Sequence, residues 1–312
     1  MKYIKNPKTT ILMCTFNGEK YLMDQLRSFE TQSIARNLNI IVSDDGSSDR
    51  TLKILRDFKK KTKIQIRIFS RDAAHGFSSN FAFVSSRKTL KSDFYAWSDQ
   101  DDVWINDKLE RAVKELNAID PKVPAVFSSR TIITNDNNIK IGESKNFTKP
   151  YVFENALVQS VAGGNTMVFN ESARILFNIA SKTKKISSHD WLMYIVTTGC
   201  GGIFICESSP LVRYRQHDKN LIGTNITLKS IFVRVRSLFS EKLKNSISIN
   251  KDCISLIENY LTKENKYKFK KFYSARDKSI IYRFFRFLNL QIYRQGYAEN
   301  FLFYIALLFN KI

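Results

Sequence analysis

Three carboxylates crowd into the short segment 99–102, directly after an apolar run. Asp99, Asp101 and Asp102 follow Phe94-Tyr95-Ala96-Trp97, which has the length and aromatic content of a buried strand. Charged residues in such number cannot continue a buried strand, so we expect them at its carboxyl end. Oxygen ligands spaced i, i+2 can hold a divalent cation and leave positions for water and phosphate oxygens. The alternative is a solvated acidic turn before the helix expected near Asn106.

A second acidic pair, Asp44 and Asp45, follows the apolar stretch 38–42. The carboxyl ends of parallel strands meet at one edge of a sheet, and ligands bind at that edge. Several carboxylates in one place cost free energy unless a cation or a hydrogen-bonding ligand compensates them. The two clusters together favour a metal-dependent nucleotide site, and an Asx-type turn at Asp44 is the alternative.

Strands and helices must alternate along the first hundred residues to position these carboxylates. Hydrophobic periodicity predicts strands at 9–16, 38–42, 64–68 and 94–98. It predicts helices at 19–29, 52–58 and 77–90, with Ser78 or Ser79 as the N-cap of the third. Such alternation is typical of right-handed βαβ units. The predicted fold class is therefore α/β, with a mostly parallel, Rossmann-like central sheet flanked by helices.

The composition is that of a folded protein from a reducing compartment. The chain has 312 residues, of which 43% are hydrophobic, and its four cysteines are scattered without a CxxC pair. This pattern argues against a disulfide framework or a structural zinc site. No signal peptide is recognisable, and the late apolar run 301–309 is shorter than the roughly 20 residues that span a bilayer. We expect a cytoplasmic protein, with peripheral contact to the inner face of the membrane as an option.

The last third of the chain is strongly basic. Residues 223–312 contain 17 Lys/Arg and 6 Asp/Glu, or +11 of the net charge of +21. Cations alternate with aromatic residues at 266–273 and 282–287, and Ile231, Val235 and Leu238 recur at helical spacing. Three interpretations stay open: an interfacial helix on anionic lipid, a helical appendage packed on the preceding domain, and a surface for single-stranded nucleic acid.

The motifs resemble those of a known family. Thr15-Phe16-Asn17-Gly18, Ser43-Asp44-Asp45-Gly46-Ser47 and Ser98-Asp99-Gln100-Asp101-Asp102-Val103-Trp104 resemble segments of the family 2 glycosyltransferases, which have the GT-A fold. Within this family the chain is most similar to the bacterial rhamnosyltransferase-like enzymes of cell-surface polysaccharide synthesis. Matching segments also occur at 76–81, 163–167, 188–191 and 214–217. The resemblance covers residues 9 to about 225. It implies a GT-A catalytic domain at 1–225, followed by a basic helical region at 226–312.

The resemblance implies roles for individual residues. The donor would be a dTDP- or UDP-sugar, held with Mg²⁺ or Mn²⁺. The implied nucleotide-sugar-binding residues are Thr15, Asn17, Asp44, Asp45, Asp99 and Gln100. Asp101 and His217 are implied as metal ligands, and Asp190 as the general base. An exposed loop position is the alternative for His217.

Four residues are candidates for contact with the acceptor. Gly164 and Asn165 lie in a glycine-containing segment where the backbone can approach a sugar. Trp104 and Trp191 carry rings that can stack on a sugar face, although core packing is the commoner fate of tryptophan.

The predicted reaction is the inverting transfer of a sugar to a saccharide or lipid-linked saccharide acceptor. L-Rhamnose from dTDP-rhamnose is the expected donor sugar, and a glucosyl or galactosyl transfer from a UDP-sugar is the alternative. Asp190 precedes the apolar segment 191–196, and a helix N-terminus there would favour the ionised form that a base requires. The other interpretation of Asp190 is a first-turn residue stabilised by the helix dipole. A nucleic-acid-binding protein acting through the basic tail is the alternative from another class.

Overall fold

A computed structural model describes residues 4–87, 92–217, 241–276 and 278–308. One sheet runs through this part of the chain in the strand order β3-β2-β1-β4-β8-β6-β9-β5, with β7 beside β6. The strands are β1 (Thr9–Thr15), β2 (Leu38–Asp44), β3 (Gln65–Ser70), β4 (Phe94–Ser98), β5 (Val103–Trp104), β6 (Ala125–Thr134), β7 (Lys140–Glu143), β8 (Val168–Asn170) and β9 (Ile203–Arg215).

Helices cover both faces of this sheet. They are α1 (Leu22–Glu30), α2 (Thr51–Lys61), α3 (Phe77–Ser85), α4 (Lys108–Asn117), α5 (Phe153–Ala156), α6 (Glu171–Ala180), α7 (His189–Gly199), α8 (Glu241–Leu256), α9 (Lys263–Ala275), α10 (Ile280–Asn289) and α11 (Tyr297–Leu308). The predicted α/β fold class is confirmed, since strands β1 to β4 are parallel and alternate with helices.

The second half of the sheet is mixed. Strand β8 is antiparallel to β4 and β6, whereas β9 is parallel to β6 and antiparallel to β5. Strand β9 is long because it pairs along the whole of β6 and continues to β5. This extension carries the chain from the far side of the sheet back to the acidic segment after β4.

Helix α3 begins differently from the prediction. Its N-cap is Gly76, with φ of 88°, and neither Ser78 nor Ser79 caps it. A positive φ is readily available to glycine, which explains why the chain turns into the helix at this position. The helix ends at Ser85, and part of the predicted continuation to residue 90 lies outside the described residues.

Two apolar cores form, one on each face of the sheet. Helices α1, α2 and α4 pack on one face. Helices α3, α6 and α7 pack on the other, and the C-terminal helices α8 to α11 join the same core. Phe272 of α9 and Phe287 of α10 are fully buried and stack with centroids 5.0 Å apart. Burying one such side chain stabilises the fold by about 1.5–3 kcal/mol. The described tail is therefore a packed helical layer, whereas the pattern at 231–238 lies outside the described residues.

In the described ranges, no helix is both long enough and apolar enough to cross a membrane.

Candidate active site

Asp44 organises the loop that follows β2. Its buried carboxylate accepts hydrogen bonds from Thr15 Oγ1 at 2.8 Å and from the backbone nitrogen and Oγ of Ser47 at 2.9 and 2.6 Å. Strand register places Thr15 opposite Asp44, so both side chains emerge at the same sheet edge. Asn17, with φ of 47°, accepts from the backbone nitrogen of Ser48 at 2.9 Å. Thr15, Asn17 and Asp44 thus join two strand ends into one rigid wall.

Asp45 is held by three groups from the segment after β3. Arg71 Nη1 lies 3.2 Å from Oδ1, and the backbone nitrogens of His75 and Gly76 donate to Oδ2 at 2.8 and 2.9 Å. The His75 ring also lies 3.4 Å from Oδ1, although 46% of its side chain is exposed. The sequence motifs do not single out Arg71 or His75, because neither residue belongs to a recognisable motif.

Gln100 fixes the loop after β1. Its Oε1 accepts from the backbone nitrogen of Phe16 at 2.8 Å, and its Nε2 donates to the carbonyl of the same residue at 2.9 Å. A Cβ on Gly18 would lie 2.2 Å from that Oε1, so the close approach depends on glycine. The described contacts make Gln100 a clamp between the loops after β1 and β4. Its contact with a nucleotide stays a prediction.

Asp101 and Asp102, in the acidic segment after β4, have different partners. Asp101 Oδ2 lies 3.0 Å from Nε2 of His217, which follows the end of β9. Asp102 is buried, with Oδ2 accepting from Asn165 Nδ2 at 2.6 Å and Oδ1 near the backbone nitrogen of Arg215 at 3.4 Å. The two adjacent carboxylates therefore differ: Asp101 faces the site, and Asp102 ties the loop to the core.

Negative charge accumulates at this edge of the sheet. Removal from water, and then the nearby Asp101 and Asp190 carboxylates, raise the pKa of Asp99 to about 7. Burial, with Asp101 and Asp99 adding to it, also raises the pKa of Asp102. Lys108 is fully buried and donates to the Asn165 carbonyl at 2.9 Å; burial lowers its pKa although Asp102 and Asp99 oppose that change. Burial and mutual repulsion therefore both disfavour the charged forms of Asp99 and Asp102.

The residues present fit a divalent cation. Mg²⁺ and Mn²⁺ prefer carboxylate ligands, and the side chains of Asp101 and His217 lie next to each other as two potential metal ligands. A bound cation would also offset the repulsion between the neighbouring carboxylates. Within the described ranges, however, no three His, Cys, Asp or Glu side chains converge as a complete ligand set. The pair resembles a partial site, in which phosphate oxygens and water supply the other ligands.

Asp190 stands in the first turn of α7, as its sequence position suggested. Its Oδ1 accepts from Ser188 Oγ and, at 2.7 Å, from the backbone nitrogen of Trp191. Among the described residues, Oδ2 accepts no hydrogen bond. Because Asp190 also acts electrostatically on Asp99, α7 brings it to the same edge as the acidic segment.

His189 packs behind this carboxylate instead of donating to it. The ring stacks on Phe81 at 4.0 Å between centroids and meets the edge of Trp97 at 4.8 Å. Neither ring nitrogen has a hydrogen-bond partner in the described structure. Burial lowers the pKa of His189 to about 4, against the opposing effect of Asp190, so the ring is neutral at pH 7. His189 is therefore a packing residue that donates no hydrogen bond in the described structure.

The four residues predicted to contact the acceptor are buried. Trp104 is 1% exposed and carries Lys108 Nζ 3.3 Å from its ring centroid, and Trp191 is 8% exposed and donates to the Ala156 carbonyl. This burial corrects the expectation that the two rings stack on a sugar, because their faces are covered by the core. Gly164 is buried and packs against His189. Asn165 is buried as well and hydrogen-bonds to Asp102 and Lys108.

The chain belongs to glycosyl transferase family 2, whose family model matches residues 10–177. It is 30% identical over 236 residues to the dTDP-rhamnosyl transferase RfbG of Shigella flexneri, covering 72% of this chain and 78% of that protein. It is 27% identical over 128 residues to the Escherichia coli UDP-Glc:alpha-D-GlcNAc-diphosphoundecaprenol beta-1,3-glucosyltransferase WfgD, covering 41% of this chain and 47% of that protein.

The fold is similar to that of a solved bacterial protein. Staphylococcus aureus TarS 1–349, in complex with UDP-GlcNAc, superimposes with a TM-score of 0.56 at 12% identity, covering 95% of this chain and 89% of that one. The protein is a glycosyltransferase with a GT-A-like fold, as the motifs indicated.

Proposed function

We propose that this glycosyltransferase transfers L-rhamnose, with inversion, from dTDP-rhamnose to a saccharide or lipid-linked saccharide acceptor in polysaccharide biosynthesis. The observation that carries the proposal is that Asp101 and Asp190 both act on Asp99 after β4, at the sheet edge where β2 ends in Asp44. The choice of sugar and nucleotide rests on the similarity to the RfbG enzyme of Shigella flexneri. A UDP-glucose donor is the second candidate, favoured by the similarity to WfgD.

The nucleoside would lie against the wall formed by Thr15, Asn17 and Asp44, with Asp45 beside it. These groups come from strand ends tied to each other by the short hydrogen bonds described above, so they are preorganised before the donor arrives. Preorganised polar groups lose little conformational freedom on binding. Asp99 precedes Gln100 and Asp101 in the loop after β4 and would contact the ribose or the metal.

Asp190 would act as the general base. As the acceptor hydroxyl attacks the anomeric carbon, its proton passes to Asp190 Oδ2, and the bond from that carbon to the nucleoside diphosphate breaks with its electron pair leaving on the phosphate. Ser188 Oγ and the Trp191 nitrogen hold the other oxygen and so fix the carboxylate. The helix N-terminus favours the ionised form.

Asp101 and His217 would hold a Mg²⁺ or Mn²⁺ ion. When bound, the ion would neutralise the charge that develops on the departing diphosphate. The fold brings these two residues together from the segments that follow β4 and β9. The neighbouring Asp102 is turned away from them by its hydrogen bond with Asn165.

A thermal-shift panel of nucleotides and nucleotide sugars, with and without Mn²⁺, tests the donor site directly. A ligand at 100 times its dissociation constant stabilises the native state by about 2.7 kcal/mol. We expect metal-dependent stabilisation by dTDP and dTDP-rhamnose that exceeds that by UDP-glucose. No response to any nucleotide would overturn the proposal, and a preference for UDP-glucose would move it to the second candidate.

We also propose that the enzyme contacts an anionic membrane surface through α10 and α11. Helix α10 buries Phe287 and Arg283, yet Ile281 and Phe285 on its other side are 71% and 59% exposed. On α11, Phe301 is 68% exposed. Apolar side chains presented on a helix whose opposite face is already packed are what an interfacial helix requires.

Cations surround this apolar surface. Arg286 donates to the Tyr282 hydroxyl at 2.8 Å, and it lowers the pKa of Tyr282 together with Lys271 and Lys278. Aromatic rings flanked by cations suit the headgroup region of anionic lipid. A lipid-linked acceptor would make this contact functional.

Vesicle sedimentation tests the membrane contact. We expect the double variant Ile281→Ser/Phe285→Ser to lose at least tenfold in partitioning onto vesicles of phosphatidylglycerol and phosphatidylcholine. Ile139→Ser/Ile141→Ser is the matched control, since those residues are 60% and 49% exposed on the hairpin of β6 and β7. Absence of wild-type binding, or equal loss in both variants, would contradict the proposal.

A further inference from the structure

A cavity of about 730 Å³ lies outside the donor site described above. Its walls come from the segment that leads into α3, the α6–α7 loop and the first half of α8. The volume falls within the range of small-molecule sites, roughly 300–1,000 Å³. The C-terminal helices therefore do more than cover the core, because α8 closes one side of this cavity.

The position of the cavity relates it to both ends of the transfer site. His75 lines it and holds Asp45 through its backbone nitrogen, and Ser187 lines it next to Ser188, which fixes Asp190. The cavity thus lies beside the segment that holds Asp45 and beside the residue that precedes Ser188. A molecule bound there would be placed to present a hydroxyl to Asp190.

The lining is basic and rich in hydroxyl groups. Lys184 and Lys185 come from the loop and Lys242 from α8. Within the described ranges, no carboxylate forms an ion pair with any of these three lysines. Three cations in one concave surface form an electrostatic site for an anion, and the nearby serine hydroxyls can donate to its oxygens.

The loop and the helix that carry these lysines are fixed to each other. Ser187 Oγ donates to Oδ1 of Asn250 at 2.8 Å, and Asn250 is fully buried in α8. Thr183 Oγ1 lies 3.3 Å from Cys253 Sγ on the same helix. The loop with Lys184 and Lys185 and the helix with Lys242 are therefore held together at one side of the cavity.

We propose that this cavity binds a phosphate group carried by the acceptor, either the diphosphate of a lipid-linked sugar or a phosphodiester of a glycan. The inference rests on the proposed sugar transfer, since it treats Asp190 as the base. Phosphate binding by the three lysines would anchor the acceptor and bring its hydroxyl to Oδ2 of Asp190, which converts the attack into an oriented, effectively unimolecular step.

Calorimetric titration of two probes tests the proposal, with the full chain saturated with dTDP in excess Mg²⁺. The probes are citronellyl diphosphate, a short lipid diphosphate, and a glycerol phosphate oligomer; citronellol is the control without phosphate. Saturation with dTDP removes the donor site as a source of phosphate binding. We expect one probe to bind, and the one that binds identifies the source of the phosphate.

The triple variant Lys184→Gln/Lys185→Gln/Lys242→Gln should bind that probe at least tenfold more weakly, with dTDP binding unchanged. The matched control, Lys59→Gln/Lys60→Gln/Lys61→Gln, removes the same charge from exposed positions at the end of α2, outside this cavity. No probe binding by the wild type, or equal loss in both variants, would overturn the inference. Failure of both dTDP and UDP to bind would instead overturn the proposed function, and the effect of the lysines on probe binding can still be measured in that case.

Discussion

Nε2 of His217 lies 3.0 Å from Oδ2 of Asp101, although 116 residues separate them in the chain. The contact exists because β9 runs along β6 and then pairs with β5, so the residues after it arrive beside the acidic segment. Tyr21 stacks on the His217 ring with centroids 5.0 Å apart and orients it. The pair is the centre of the candidate metal site.

Replacing Asp101 should abolish the metal dependence of nucleotide binding. We expect Asp101→Asn to bind dTDP at least tenfold more weakly in the presence of Mn²⁺, and equally with or without the metal, because one ligand and one charge are lost. Calorimetric titrations with and without Mn²⁺ measure both effects. The control Asp107→Asn removes a carboxylate of similar charge that is 49% exposed and pairs with Arg111. Undiminished metal dependence in Asp101→Asn would rule out Asp101 as a ligand.

Replacing Asp190 should separate chemistry from binding. General-base catalysis contributes typically 10²–10⁴-fold, so we expect Asp190→Asn to reduce kcat by at least about 100-fold while the Kd for dTDP stays unchanged. Ser188→Ala serves as the comparison, because the Trp191 nitrogen still holds Oδ1 and the carboxylate remains. It should lose much less activity. A fully active Asp190→Asn enzyme would show that another group takes the proton.

A side chain at Gly164 should disturb the packing behind the base. A Cβ there would lie 2.1 Å from Nε2 of His189, and the ring is held between Phe81 and Trp97. We expect Gly164→Ala to lower the free energy of unfolding by about 1–3 kcal/mol, the usual cost of overpacking. Chemical denaturation measures the change.

The control for this packing effect is Gly296→Ala, since a Cβ at Gly296 finds its nearest neighbours at 3.5 Å. Combining Gly164→Ala with His189→Ala should cost less than the sum of the two single changes, because the clash is then removed. Additive effects in this double-mutant cycle would show that the two residues do not oppose each other.

The buried neutral His189 predicts a loss of stability in acid. Its pKa is about 4 in the folded chain and 6.5 in the unfolded one, so between these values the unfolded state binds more protons. Its contribution to stability is therefore complete above pH 6.5 and is lost as the pH falls toward 4. A shift of this size corresponds to about 3 kcal/mol.

Comparison with His189→Gln isolates this effect from the titration of the carboxylates. The variant carries no group that titrates at this position, so the difference in unfolding free energy between wild type and variant should shrink steadily from pH 6.5 to pH 4. Denaturant titrations at several pH values measure it. A difference that stays constant across this range would mean that the imidazole is not held neutral by burial.

The sequence was sufficient to predict, in outline, the edge of the sheet at which the carboxylates lie. Apolar strands that end in carboxylates place Asp44 and the acidic segment after β4 at one edge, since parallel strands of similar length end together. The start of α7 at His189 likewise followed from the switch to an apolar helical segment after a polar one. These features are local, or depend only on strand alternation.

Only the tertiary structure decided what each carboxylate does. Asp101 and Asp102 are neighbours in a loop, where no periodicity fixes the direction of a side chain, and their partners His217 and Asn165 come from distant elements. The burial of Trp104 and Trp191 was equally undetermined, because an aromatic ring suits a core and a sugar site alike. The role of the C-terminal tail was also undetermined, because its alternating cations and aromatic rings suit several kinds of partner. The packing of α8 to α11 decided which rings are buried and which lysines line a cavity. Such outcomes depend on contacts between residues far apart in the chain, which short-range sequence patterns do not encode.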